Sequence, residues 1–507
     1  MEHRLGALLQ DIQYEVTHLP AGKSLEEAQV TDIVNDSRRL SAGCLFLAIE
    51  GMNSDGHAFL PEAFTKEAAV AVVQRQVAIP EGCETIIIKV EDTREAMAHI
   101  AAAYYEHPAR RLKTIGITGT KGKTTTTYMI KSMLENAGIK TGLIGTVEVI
   151  IGDTHIPALN TTPESLLLQE YLHRMAEEGL KAVVMEVSSQ ALKLHRTDAI
   201  LFDIGIFTNL EPDHIGTGEH EDFADYLHCK SLLFRQCKTG ILNADDEHLQ
   251  AILKDHTCRV QTYAIDASAD MVATDISLTR KSGELGIAFT FRENDETDAL
   301  NGAWLKSPTP GRFSVYNALC AVAVARHFCP DAALIAEALQ RVHVKGRVER
   351  VATPFAFTVI IDYAHNAMAL SSLLQALREY RPARLITLFG CGGNRARDRR
   401  FEMGEVSGRM SDLTIITSDN PRNEEPMAII EDIVTGIGRT RGAYVTIPDR
   451  IEAIRYALQN GDDGDIIVLA GKGHEDYQEI RGEKFPMDER VIVADLVREL
   501  TEENGGL

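Results

Sequence analysis

The residue types with the clearest chemistry sit in one stretch, GITGTKGKTTTT, which follows a strand-like apolar run and opens a helix-like one, as a phosphate-binding loop requires. Its glycines, Gly116, Gly119 and Gly122, let successive backbone amides turn toward one anion, and the helix start adds partial positive charge. Lys123 is expected to reach the β- and γ-phosphates of a nucleotide, and the Thr124 hydroxyl to hold Mg2+. With Ile at position 117, the common G-x-x-x-x-G-K-[ST] spacing fails by one residue. A guanine-reading Asn-Lys-x-Asp motif is absent, and the loop by itself leaves motor or kinase chemistry open.

The elements that must position this loop follow a regular alternation. From Lys113, strand KTIGITGT leads to a helix, TTTTYMIKSMLENAG, then to TGLIGT, KAVVMEVSS, DIGIFTNL and TGILNAD. Strands separated by helices imply a parallel sheet with helical cover. DISLTRKSGELGIAFTF alternates with period two around Ser-Gly and predicts an antiparallel hairpin added to that domain. Before it, VTDIV, CLFLAI, AAVAVV and TIIIKV predict a small α/β unit that closes with the helix TREAMAHIAAAYYEH at Pro108. After GRVER the alternation resumes through TVIIDYAH, LSSLLQALREY, ARLITLFG, LTIITSD and DIIVLAG, a second doubly wound candidate. The expected fold class is α/β in three domains, residues 1–107, 108–345 and 346–507.

A chain of 507 residues, 44% apolar and 25% charged, is ordinary for multi-domain globular proteins. Lys plus Arg number 52 against 74 for Asp plus Glu, a formal charge of −22, which disfavours nonspecific nucleic-acid or anionic-membrane binding. No apolar run approaches the ~18 residues of a membrane span, and MEHRLGALLQDIQ has no signal-peptide pattern. Eight scattered cysteines without a CxxC pair point to reduced thiols in a cytoplasm, with Cys391 packing in a glycine-rich turn.

GTKGKTTT, NTTPES, MEVSSQAL, TNLEPDH, GRVER, DYAHN and SDNPR, in that order, resemble the Mur ligase family across essentially the whole chain. GCGGNR and AGKGHEDYQ make the chain similar to the branch that adds the third residue of the peptidoglycan stem peptide. The resemblance implies an N-terminal domain for the UDP end, a central ATPase domain and a C-terminal Rossmann-like domain for the incoming amino acid. It implies ATP and Mg2+, an acyl-phosphate formed on the substrate carboxylate, and attack by an amine. The partners so implied are small molecules, UDP-muramoyl-dipeptide and a diamino acid, with no nucleic acid, no membrane and a monomeric chain.

By the same resemblance, Gly119, Thr120, Lys121, Gly122, Lys123, Thr124, Thr125, Asn317, Arg347 and Asp362 contact ATP. Thr124, Glu186 and His214 hold metal, joined by Lys230 once CO2 has made it a carbamate. Lys123, Lys230, Glu186 and His214 form the catalytic set. Ser37, Met52, Asn53, Ser54, Asn160, Thr161, Thr162, Ser188 and Arg196 fall where the muramoyl-dipeptide substrate binds, and Arg395, Asp419, Asn420, Pro421, Arg422, Gly471 and Glu475 where the diamino acid binds. Arg422 suits the distal carboxylate of meso-2,6-diaminopimelate, which lysine lacks, Glu475 an ammonium, and Arg395 the proximal carboxylate. Arg397, Arg399 and Arg400 are expected to be a solvated basic loop. Leu194 stands where better-known members carry Gln, Lys121 replaces their usual Asn, and DHIGTGEH replaces their Asp-His-Leu-Asp-Tyr-His-Gly. Within the family the last two features occur in a Gram-positive branch with lysine-adding members, so L-lysine or L-ornithine is the alternative substrate, and a non-catalytic nucleotide-binding regulator the alternative class.

Overall fold

The protein is described from a computed structural model covering residues 3–51, 54–213, 215–216, 219–281, 284–294 and 299–505. It forms two compact units, residues 1–270 with 320–329, and residues 271–319 with 330–507.

The first unit holds two large sheets and a short two-stranded one, His3–Arg4 with Gln29–Val30. One has five strands, Glu15–His18, Ile86–Lys89, Val70–Val73, Leu45–Leu47 and Ile33–Val34, parallel except for the first pair. VAVV and LFL are buried at every position, because both faces of this sheet are covered. Leu45, Val70 and Ile86 pack with Leu5, Met97 and Ile100 on one side. On the other, Phe46, Ala71 and Ile87 meet Leu60 and Ala63.

The second sheet of this unit contains, in order, Thr154–Pro157, Glu148–Ile151, Thr141–Ile144, Ala182–Glu186, Lys113–Thr118, Phe202–Phe207, Cys237–Asn243 and Arg259–Ala264. The last six are parallel, as the βα alternation predicts, and the first two form a hairpin that the alternation gives no hint of. From Lys113–Thr118 the chain passes through the helix Lys123–Asn136 to one side of the sheet, returns at Ala182–Glu186, then crosses to Phe202–Phe207 on the other side. Strand order therefore reverses around Lys113–Thr118, and a crevice opens beyond its carboxyl end, where ligands of doubly wound sheets bind.

The second unit begins with the expected hairpin, Met271–Lys281 against Glu284–Glu293, joined by Trp304–Ser307. Its main sheet is Glu349–Val351, Thr358–Asp362, Ile466–Ala470, Leu385–Phe389, Leu413–Ile416 and Tyr444–Thr446, parallel after the first pair. Ile360, Phe389 and Ile416 pack on one face with Leu370, Met403 and Ile433, and Ile361, Leu388 and Ile415 on the other with Ile454, Leu458 and Val493. Arg450 and Glu489, both fully buried, join the starts of the last two helices at 2.8 Å. Arg450 also donates to the carbonyls of Ser418 (3.1 Å) and Ala470 (2.9 Å), fixing two strand ends.

All eight cysteines are unpaired, and all but Cys83 are buried. Burial pushes the Cys391 thiol up to about 12, consistent with a packing role. Among the described residues, no helix is long and apolar enough to cross a membrane.

Removing one partner of a buried ion pair strands the other charge. Arg450→Ala is expected to destabilise the protein by about 3–5 kcal/mol, measured as a lowered midpoint of urea unfolding, whereas Arg455→Ala, in a partly exposed pair with Glu499, should shift it by less than about 1 kcal/mol.

Candidate active site

The expected loop lies between strand Lys113–Thr118 and helix Lys123–Asn136. Two of its glycines are dictated by geometry. Gly119 has φ 144°, and a Cβ there would sit 1.9 Å from the Thr208 hydroxyl; Gly122 has φ 87° and caps the helix. Gly116 is different. It lies inside the strand, where a Cβ would approach the Phe202 ring to 2.9 Å, so it serves packing and not amide presentation.

The loop carbonyls are taken by side chains. Lys123 Nζ donates to the Gly119 (2.8 Å) and Thr120 (3.2 Å) carbonyls, and Lys230 Nζ to Gly119 (2.9 Å). The Thr208 hydroxyl and Asn209 amide donate to the Lys121 carbonyl at 2.7 and 3.1 Å. Thr120 and Tyr226 share a hydrogen bond of 3.0 Å, and Lys121, expected at the nucleotide, pairs with Glu211 at 2.7 Å. Thr125 is buried in the first turn of the helix.

Glu186 ends the strand beside the loop and is 1% exposed. It accepts from the Thr124 hydroxyl (2.9 Å) and from the Thr146 amide (2.9 Å) and hydroxyl (3.0 Å). A hydroxyl and a carboxylate facing each other under a phosphate loop are a hard oxygen donor set, which fits Mg2+. His214 lies outside the described residues, as do Met52 and Asn53.

Lys230 is fully buried on the helix Phe223–Ser231, its ammonium 4.5 Å from the Tyr226 ring centroid. Burial first, then the charge of Lys123, holds its pKa well below that of an ordinary lysine. On the other flank, Thr161 and Thr146 hydroxyls lie 3.0 Å apart, and Thr162 donates to the Glu186 carbonyl (2.9 Å) and accepts from the Ser188 amide (3.0 Å). Ser188 caps the helix Ser189–Lys193, whose C-cap is Leu194, and Asn160 is exposed nearby. Arg196 donates to the Thr162 carbonyl (2.9 Å) and to Glu164 (2.5 Å). Thr124, Glu186, Thr161, Thr162, Ser188 and Arg196 thus form one connected wall. Ser37 starts a short 3-10 turn and Ser54 is exposed just before another, Gly56–Phe59, both in the N-terminal sheet region.

In the second unit the strand ends gather the other expected residues. Asp362 is buried and accepts from the Val348 and Ala364 amides, both at 2.8 Å; burial raises its pKa. Arg347 stacks on Tyr363 at 4.9 Å, and Asn317 is buried on helix Arg312–Ala325. Asn420 donates to Glu475 (2.8 Å) and accepts from Lys472 (3.0 Å), which also pairs with Glu475 at 3.3 Å. Burial raises the Glu475 pKa against the pull of Lys472. Gly471 has φ 107°, with Asp419 Oδ2 2.9 Å from where a Cβ would be. Arg422, following Pro421, is 3.1 Å from Glu479 and donates to the Gly393 carbonyl at 2.8 Å; Arg395 is exposed on the adjoining loop.

The expectation of a solvated basic loop is overturned for Arg400, while Arg397 stays exposed. Arg400 is buried, bonded twice to Glu424 at 2.8 Å and to Asp432 at 3.1 Å, and Arg397 also pairs with Asp432. Both arginines begin or flank the helix Asp398–Met410, and their partners come from a segment more than twenty residues away, which a local reading of RARDRR cannot register. Thr146, Tyr226, Lys472 and Glu479 are additional members of the two sites. Lys472 lies inside the AGKGHEDYQ motif and had a sequence signal; the other three had none.

A loop of this kind at a sheet's switch point, backed by a buried carboxylate and a buried amine, is built to move a phosphoryl group from a nucleoside triphosphate. Comparison with known proteins places that chemistry. Family models match residues 29–105 (Mur ligase family, catalytic domain), 117–325 (Mur ligase middle domain) and 346–473 (Mur ligase, glutamate ligase domain). The chain is 43% identical over 98% of its length, and 99% of the relative's, to the UDP-N-acetylmuramoyl-L-alanyl-D-glutamate–2,6-diaminopimelate ligase of Caldanaerobacter subterraneus subsp. tengcongensis. It is 40% identical over 98% of its length, and all of the relative's, to such a ligase of Clostridium acetobutylicum. A solved structure of a ligase with this name shares the fold, with TM-score 0.70, 24% identity, 99% of this chain and 100% of that one covered. The chain belongs to the Mur ligase family and is an ATP-dependent amide-forming ligase.

Gly119→Ala forces a Cβ into Thr208 and misplaces the loop. Its kcat/KM for ATP is expected to fall by about 100-fold or more, measured by phosphate release, with circular dichroism unchanged.

Proposed function

We propose that the protein joins meso-2,6-diaminopimelate to UDP-N-acetylmuramoyl-L-alanyl-D-glutamate, converting ATP to ADP and phosphate. The names of its full-length relatives support this. The observation that carries the choice of amino acid is the fixed seating of Arg422, held by Glu479 at 3.1 Å and by the Gly393 carbonyl at 2.8 Å. A guanidinium there takes the second carboxylate of diaminopimelate bidentately, and L-lysine would leave the donors that face it without that partner. Glu475 receives the ammonium and Arg395 the nearer carboxylate.

The substrate carboxylate and the triphosphate are both anionic, so cations must stand between them before an acyl-phosphate can form. Lys123 and the amides at the helix start bind the phosphates, and Arg196 with Thr161, Thr162 and Ser188 holds the peptide. Thr124, Glu186, His214 and a carbamylated Lys230 would hold Mg2+, which screens the converging charges. The depressed basicity of Lys230 supports the carbamate: a neutral buried amine adds CO2 and releases a proton, replacing the uncharged amine with an anion beside Lys123. Asn317, Arg347 and Asp362 serve ATP, while Ser37, Met52, Asn53 and Ser54 serve the uridine end. The functional boundaries we place at 107/108 and 345/346, a division that the separate spans of the three family models support without fixing. We place the enzyme in the cytoplasm as a monomer acting on small molecules, with neither nucleic acid nor membrane as partner.

Phosphate release is expected only when UDP-muramoyl-dipeptide and meso-diaminopimelate are both present, and a preference for L-lysine or L-ornithine in the same assay overturns the assignment. Lys230→Ala is expected to lose at least about 100-fold in kcat and to recover part of it with added short carboxylic acids. In CO2-free buffer the unmodified enzyme should lose activity after an acid pulse and regain it with bicarbonate; indifference to both treatments argues against the carbamate.

A further inference from the structure

Arg422 has a left-handed backbone, φ 51°, which a side chain of this size adopts only when its surroundings impose it. The imposing element is strand Tyr477–Ile480, paired with Glu483–Pro486. The Arg422 amide donates to the Glu479 carbonyl at 3.0 Å, and the Arg481 amide to the Arg422 carbonyl at 2.8 Å. The same Glu479 reaches back with its side chain, its Oε2 accepting from Arg422 Nε at 3.1 Å. Across the fork, Nη1 donates to the Gly393 carbonyl, and a Cβ on Gly392 would stand 3.0 Å from that nitrogen. Glu479 is itself steadied, because its amide donates to Asn420 Oδ1 at 2.9 Å.

A guanidinium has three hydrogen-bonding edges. Glu479 takes Nε and Gly393 one N–H of Nη1, which leaves Nη2 and the second N–H of Nη1 to meet a ligand. We infer that Glu479 is a positioning residue for amino-acid selection: it aims Arg422 at the distal carboxylate of the incoming diamino acid. This inference rests on the function proposed above. Glu479 also lowers the local positive charge, which works against anion binding. Geometry wins, because the two side chains are 24% and 27% exposed, so water screens the charge while doing nothing to orient a long, rotamer-rich arginine.

In the purified full-length enzyme, Glu479→Ala is expected to raise KM for meso-diaminopimelate about tenfold, with kcat changed less than about twofold. The KM values for ATP and UDP-muramoyl-dipeptide should stay constant, and the preference for diaminopimelate over L-lysine should shrink. Glu479→Gln keeps an acceptor for Nε and should restore most of the affinity, whereas Glu479→Leu, which keeps the bulk without the acceptor, should behave like alanine and stands in for it should the alanine variant not fold. An unchanged or lowered KM in the alanine or leucine variant overturns the inference, as does a parallel rise in all three KM values with a fall in melting temperature. If the unmodified enzyme fails to use meso-diaminopimelate at all, the functional assignment fails instead, and the two failures are distinct.

Discussion

A loop that is to receive a triphosphate must hold its shape without the amides it offers to the ligand. Here the burden falls on its carbonyls, which point inward and are met by Lys123, Lys230, Thr208 and Asn209. Two loop amides share in this, those of Thr120 and Lys121 donating to the Asn209 carbonyl and side chain at 2.9 Å each, while the start of helix Lys123–Asn136 supplies the partial positive charge that favours an anion. Because Lys230 supports the loop and is also the lysine we propose for the catalytic set, the shape of the loop and the charge state of the site are bound to one side chain. Glu186 does the same on the other flank, tying Thr124 of the loop to Thr146 and, through its own carbonyl, to Thr162.

Much of this was legible in the sequence because parallel strands with helical cover leave a plain record. Continuous apolar runs such as KAVVMEV mark strands buried on both faces, and the residue that follows each run stands at the carboxyl end, where Glu186, Thr208, Asp362 and Asp419 are found. The phosphate loop was visible for the same reason. Partners that meet by tertiary packing were not. Arg400 sits in a run of arginines and looks solvated until helix Pro426–Ile437 brings Asp432 against it. The hairpin Glu148–Pro157 was overlooked because IIGDTHIP is short and only half alternating. Gly116 was assigned to phosphate binding when the Phe202 ring explains it.

The acidic surface and the anionic ligands are reconciled by where the cations are spent. The chain carries 22 more acidic than basic groups, yet Lys230, Lys472 and Arg450 are fully buried, and each faces a carbonyl or carboxylate that fixes its direction. Charges committed in this way are costly to desolvate and expensive to mispair, so they impose a single arrangement on the residues around them. Net charge describes the solvent-facing shell; the sites are governed by a handful of oriented groups beneath it.

The glycine pair Gly392–Gly393 has a consequence for how amino-acid choice can change over evolutionary time. A Cβ on Gly393 would lie 1.9 Å from the Pro421 carbonyl, so the loop after Leu385–Phe389 and the turn before Arg422 are cut to fit each other. That turn in turn leans on the strand some sixty residues later through Arg422 and Glu479. Three segments far apart in the chain are interlocked at backbone level. A change in any one of the three segments therefore disturbs the other two, so the wall they build around Arg422 is altered as a block.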